Sequence, residues 1–249
     1  MANTTTPTPG TPGEPRPRNR RAAEAKSHRA EAEANHARLE ERNATHRRFG
    51  FDPDASVRFV IEKALPLRGH VLDAGTGKGR FVVPLARKVT KVTTVDINAE
   101  EQHCARLEAE FAGVTQKIEF VLADAGKLPW RAGTFDAVTS WNVFHHLDDP
   151  ERVFSEMLRV LKPGGKLVLA DFSRAGFRLM DEIHAAEGRT HPHPSSRFAE
   201  WQERLKQAGF NVRRFEGHHE EVLIAVSSHR RLNAREHSKT TSNPADTEP

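Results

Sequence analysis

Short apolar runs alternate with helical stripes along most of this chain. Val71-Leu72, Lys91–Asp96, Ile118–Leu122, Phe135–Asn142 and Lys166–Phe172 read as strands, several of them apolar at consecutive positions, as strands covered on both faces are. Between them lie helical stripes. Val57, Val60, Ile61, Ala64 and Leu65 form one, with Asp54 as its expected cap and Pro66 as its stop. Phe81, Val82, Leu85 and Ala86 form another that starts close to Arg80, since Pro84 costs little within a first turn. Residues 99–112 form a third helix, in which Cys104, Leu107 and Phe111 should be inward. Asp149-Pro150 opens a fourth with Val153, Met157, Val160 and Leu161 inward, and Lys162-Pro163-Gly164-Gly165 ends it. This alternation predicts an α/β fold, a parallel sheet wound on both faces. Residues 173–195 are irregular, with a short helix around 177–186, and residues 196–208 form a helix stopped by Gly209. Two last strands, 211–215 and 221–227, are joined by too few residues for a crossover and must pair as a hairpin.

Residues 1–48 lack such a pattern. The first twenty are Thr, Pro, Gly and Arg in low complexity and should be disordered; residues 21–48 have helical propensity but almost no apolar face, which predicts an exposed, frayed helix. The domain should therefore span 49–228, with a disordered tail over 229–249. A net charge of +4 raises the question of nucleic acid, but residues 1–50 hold ten Arg and Lys against six Asp and Glu, while residues 51–228 hold 24 against 25. The basic excess belongs to the tails. One cysteine excludes an intramolecular disulfide and fits a reducing cytoplasm, and no apolar run is long enough to span a bilayer.

The chemistry concentrates in His70-Val71-Leu72-Asp73-Ala74-Gly75-Thr76-Gly77-Lys78-Gly79-Arg80. A phosphate loop fails here, because Leu72 stands where its first glycine should be and Gly79 where its hydroxyl should be. A dinucleotide fingerprint is weakened by Arg80 at its third glycine. Asp-x-Gly-x-Gly-x-Gly remains. Asp96 ends the next strand 21 residues after Gly75, near the spacing at which an acid meets ribose hydroxyls.

This loop, the segment Ser140-Trp141-Asn142-Val143-Phe144-His145-His146-Leu147 and the run Arg159-Val160-Leu161-Lys162-Pro163-Gly164-Gly165 resemble the class I S-adenosylmethionine-dependent methyltransferases. Within that class the chain is similar to the type 11 branch, which includes the C-methylating enzymes of ubiquinone and menaquinone synthesis. The resemblance covers about residues 54–228 and implies a Rossmann-like sheet of seven strands, mostly parallel, with one antiparallel strand near an edge. It also implies S-adenosylmethionine as cofactor. Asp73, Gly75, Gly77 and Gly79 would then meet the methionine part, Asp96 the ribose, Asp124 and Ala125 the adenine, and Asn142 the methionine and transferred methyl; Ile97 joins this cofactor-binding set.

Methyl transfer from a sulfonium is an in-line displacement, so alignment and exclusion of water dominate, and a base is needed only where the acceptor must lose a proton. His145 and His146 are the candidates. His184, His191 and His193 could contact substrate, or bind a metal together with His218 or His219, but their spacing fits no compact metal motif and no metal is expected. Asp171 and Phe172 could line the same pocket. Asn142 is not followed by the Pro-Pro-aromatic that often accompanies exocyclic-amine methylation, and no cysteine suits pyrimidine C5 chemistry. A small aromatic, quinone-like or lipid-like acceptor is favoured and nucleic acid disfavoured; the oligomeric state is open. Two other readings stand beside this one, an RNA-directed methyltransferase using the basic arm and a non-catalytic S-adenosylmethionine-binding regulator.

Overall fold

A computed structural model describes residues 17–188, 197–217 and 219–227. Its centre is a seven-stranded sheet built from β1 (His70–Ala74), β2 (Lys91–Asp96), β3 (Ile118–Leu122), β4 (Phe135–Trp141), β5 (Leu161–Phe172), β6 (Phe210–Glu216) and β7 (Glu220–Ser227). The spatial order is β3-β2-β1-β4-β5-β7-β6. All pairings are parallel except those of β7, which runs antiparallel to both β5 and β6. The expected architecture is therefore present, with its reversed strand one place from the edge.

Helices are α1 (Pro17–Arg48), α2 (Pro53–Ala64), α3 (Val82–Ala86), α4 (Ala99–Phe111), α5 (Pro150–Val160), α6 (Arg174–Ala186) and α7 (Phe198–Gln207). The pleat explains the double layer. Val71 enters the apolar cluster with α2 and α3, while its neighbour Leu72 enters the cluster with α5 and α7. Successive side chains point to opposite faces, so a strand covered on both sides must be apolar at every position. Trp201 anchors the second face. Its indole stacks on Phe154 at 5.2 Å and meets the edge of Phe144 at 4.6 Å.

Local chemistry corrects three expectations. The cap of α2 is Asp52, whose carboxylate accepts from the Asp54 amide, because Pro53 takes the first helical position. In α4 the inward residues are Gln102, Ala105, Leu107 and Ala109; Phe111 is exposed and Cys104 half-buried. The largest change concerns α1, which is not an exposed arm over its second half. Ala32, Asn35, Leu39, Asn43 and His46 are buried at helical spacing. Asn35 Nδ2 donates to the Cys104 carbonyl at 3.2 Å, His36 stacks on Phe111 at 3.8 Å, and His36 Nδ1 lies 2.7 Å from Glu108 Oε1. The buried stripe is mostly polar, so a search for an apolar face passes over it.

Candidate active site

The carboxyl ends of β1, β2, β3 and β4 lie side by side because the strands are parallel and adjacent. At the end of β1 the chain turns through Gly75 and Thr76, whose amides both donate to the Val95 carbonyl, at 2.9 and 3.0 Å. Gly75 has φ +97°, and a β-carbon there would run into Val143 beyond β4, so the loop and the end of β4 are in contact. Gly77 differs. A β-carbon on it would meet nothing within 4 Å, so this backbone is open to approach.

Three carboxylates stand at or just beyond the carboxyl ends of β1, β2 and β3. Asp96 Oδ2 accepts from the Gly77 amide at 2.7 Å and its Oδ1 from the Asn98 amide at 2.9 Å. The acid is thereby fastened to the loop, and further lone pairs remain for a ligand's hydroxyls. Asp73 is only 1% exposed. Its oxygens accept from the hydroxyls of Thr94, at 2.9 Å, and Thr139, at 3.1 Å, and Thr76 reaches Thr94 at 2.8 Å. Asp73 thus touches the loop through two threonines rather than directly. Burial pushes its carboxyl up to about 7, against the pull of those two hydroxyls. Asp124 is exposed, accepting from the Gly126 amide at 2.7 Å and from Arg152 at 3.1 Å; Arg152 also donates to the Gly126 carbonyl at 2.7 Å. Ala125 is half-buried beside it.

These residues fit an adenosyl group. Ile97, next to Asp96, is 76% exposed, and Leu122, opposite Asp96 in the register, is 58% exposed. Two large apolar side chains left bare beside a ribose-binding type of acid suit an adenine ring better than water.

At the other side stand β4, β5 and β7. Asn142 follows β4 with φ +52°, a conformation unusual outside glycine, and its Nδ2 donates to Glu220 Oε1 at 3.2 Å. A 3-10 turn over Phe144–His146 then carries both candidate histidines. His145 is buried and His146 exposed. His145 Nδ1 lies 2.6 Å from Asp171 Oδ1, and the His145 amide donates to Asp171 Oδ2 at 3.2 Å. Phe172 and Phe177 flank the His145 ring at 5.4 and 5.5 Å.

The residue missed by sequence reasoning is Glu220. Only 2% exposed at the start of β7, its carboxyl is raised to about 8 by burial and then by Asp171, against the weaker pull of Asn142, Ser56 and Trp141. Ser56 and Trp141 lean on it without a formed bond: Glu220 Oε2, Trp141 Nε1 and Asn142 Oδ1 have no hydrogen-bond partner among the described residues. The one available signal was a Glu-Glu pair opening an otherwise apolar strand. His191, His193 and His218 lie outside the described residues, and among the latter no group of three His, Cys, Asp or Glu could hold a metal. No described helix is long and apolar enough to cross a membrane. A groove of about 470 Å³ lined by Arg68, Asp136, Lys162 and Lys166 opens at the opposite end of the sheet, away from the glycine loop.

Comparison with known proteins agrees with this geometry. The methyltransferase domain family matches residues 72–169. The chain is 33% identical over 133 residues to the ubiquinone/menaquinone biosynthesis C-methyltransferase UbiE of Cronobacter sakazakii, covering 52% of this chain and 53% of the relative. It is 35% identical over 120 residues to the methyltransferase GfsG of Streptomyces halstedii, covering 47% and 42%. The chain thus spans about half the length of the curated relatives it matches. Among solved structures, a SAM-dependent methyltransferase from Aquifex aeolicus shares the fold, with a TM-score of 0.55 and 23% identity over 76% of this chain and 97% of that one. The sheet order and the reversed β7 give the chain the fold of the class I S-adenosylmethionine-dependent methyltransferases, and its residues 72–169 match the methyltransferase domain family.

Proposed function

We propose that this protein transfers a methyl group from S-adenosylmethionine to a small, flat, quinone-like or phenolic acceptor in the cytoplasm. The observation that carries the reading is the buried His145–Asp171 pair, set beside the glycine loop at the carboxyl ends of β4 and β5. Asp96 would hold the ribose, Gly75, Gly77 and Gly79 the methionine part by backbone approach, Ile97 and Asp124 with Ala125 the adenine, and Asn142 the methionine side of the methyl. When bound, the cofactor supplies a methyl group already carrying a good leaving group. The remaining work falls to the acceptor side.

Asp171 accepts backbone N–H groups through both oxygens, from His145 and from its own neighbour Phe172. The ring nitrogen that faces it, Nδ1, is therefore the donor, which leaves Nε2 as the basic nitrogen. A phenol or enol giving its proton to Nε2 gains the electron density that a carbon nucleophile needs, and Asp171 stabilises the resulting imidazolium. His146, exposed with its ring 4.0 Å from that of His145, would meet the acceptor at the mouth of the site. Phe172 and Phe177 supply apolar walls suited to a flat ring.

The relatives named for ubiquinone and menaquinone C-methylation support a carbon acceptor. The test is turnover of methyl-labelled cofactor against a metabolite extract, with the product identified by mass. The label is expected in a small molecule and should resist mild alkali, as a carbon-bound methyl does. Label confined to RNA, or no transfer by a protein that binds the cofactor, would sink the reading.

A further inference from the structure

The reaction described above leaves one buried polar nook unused, where β4 and β5 end and β7 begins. Glu220 is 2% exposed, and its Oε1 accepts from Asn142 Nδ2 at 3.2 Å. Its other oxygen, Oε2, has no hydrogen-bond partner among the described residues, and neither do Trp141 Nε1 and Asn142 Oδ1. Three orphaned polar atoms on neighbouring side chains cost free energy unless a further group joins them. Asn142 adds to that cost, since it holds φ +52° directly after β4.

The register brings these atoms to one place. Trp141 pairs with Ala170 of β5 and Ala170 with Val222 of β7, so Trp141 shares a face of the sheet with Val222 and with Glu220, two positions before it. Helix α2 covers that face: Val57 and Val60 enter one apolar cluster with Ala170 and Val222, and Trp141 packs against it. Phe172 links the nook to the proposed base. It pairs with Glu220 in the register, and its ring lies 5.4 Å from that of His145. A flat ring resting on Phe172 is bordered by both His145 and Glu220.

The partners decide the hydrogen-bonding roles. Asn142 fixes Oε1 as an acceptor, so a proton on the carboxyl sits on Oε2. Burial and the neighbouring Asp171 hold that proton, raising the carboxyl to about 8. The indole N–H of Trp141 is a donor only. Two such donors require an oxygen with free lone pairs, and Asn142 Oδ1 can accept from the same group if it is a hydroxyl. Asp171, by its charge, disfavours an anion here. We propose that Glu220, Trp141 and Asn142 form a specificity site for a second, uncharged oxygen of the methyl acceptor, a ring hydroxyl or carbonyl other than the one that gives its proton to His145. This rests on the acceptor reading above and narrows it, because the ring must then carry at least two oxygens. Glu220 gives up no proton in the reaction; its hydrogen bond orients the ring.

The test is titration of the full chain with phenol, catechol, resorcinol and hydroquinone under reducing conditions, with dissociation constants read by ligand-observed NMR. The three diols place the second hydroxyl at each position round the ring. The best of them should bind the wild type about tenfold more tightly than phenol does. In Glu220→Leu that preference should fall to about onefold, whereas Glu220→Gln, whose amide keeps an acceptor toward Asn142 and a donor beyond it, should retain most of it. Should Glu220→Leu fail to fold, Trp141→Phe removes the other donor while keeping an aromatic ring against Phe81, and should lower the preference about threefold. A wild type that prefers no diol, or a preference that no variant changes, would overturn the site and leave the acceptor reading in place. A wild type that binds none of the four rings would sink that reading, and the site with it.

Discussion

The two halves of the pocket are built on opposite electrostatic terms. Over β1, β2 and β3, carboxylates and backbone answer one another: Asp96 holds the Gly77 and Asn98 amides, Asp124 holds Gly126 and Arg152, and Asp73 holds two threonine hydroxyls. Over β4, β5 and β7, Asp171 and Glu220 repel each other, and Glu220 Oε2, Trp141 Nε1 and Asn142 Oδ1 are buried without a partner among the described residues. The first half is organised before any ligand arrives, which limits what binding must reorganise. The second retains polar atoms that a guest could satisfy, which suits the acceptor role proposed for it.

The sharpest way to separate the halves is to remove the proposed base from one of them. His145→Ala should lower kcat by about 10²–10⁴ through loss of proton transfer, with the dissociation constant of S-adenosylmethionine unchanged by calorimetry. A matching loss of cofactor affinity would mean that the halves are not independent. The reciprocal experiment comes next in size. Asp96→Ala removes an expected ribose contact and unfastens Gly77, so cofactor affinity should fall about tenfold to hundredfold. An unaltered dissociation constant would contradict the assignment of Asp96.

This division also decides how much could be read from the sequence. The cofactor half is local: Asp73 to Gly79 is one uninterrupted stretch from the end of β1 into its turn, and Asp96 sits at the end of the next strand. Spacing alone brings such residues together. The acceptor half is assembled across the chain, with Glu220 reaching Asn142 over 78 positions and His145 reaching Asp171 over 26. Helical and strand periods carry no information on such pairs. For α1 the failure has another cause. Its docking depends on Asn35, His36 and Glu108, and polar contacts leave no hydrophobic period to detect.

The smallest of the expected effects reports directly on the strain in the acceptor half. Glu220 has an ordinary value of 4.5 and, folded, one of about 8, raised by burial and by Asp171. A carboxyl whose folded value lies above its unfolded one takes up a proton on folding throughout the interval between them. Stability then declines as pH rises from 4.5 to about 8 and levels off beyond. Asp73 adds a similar decline from 3.8 to about 7, so the wild-type slope alone does not isolate Glu220. Glu220→Gln does, because the amide cannot ionise and still accepts from Asn142. Denaturant unfolding should find the variant near wild-type stability at pH 5 and gaining on it steadily to pH 8, by about 1–2 kcal/mol in total, less than the full shift because buried sites relax around a new charge. A constant difference across that range would mean that Glu220 is already ionised in the fold, and the tension that distinguishes the two halves would have to be sought elsewhere.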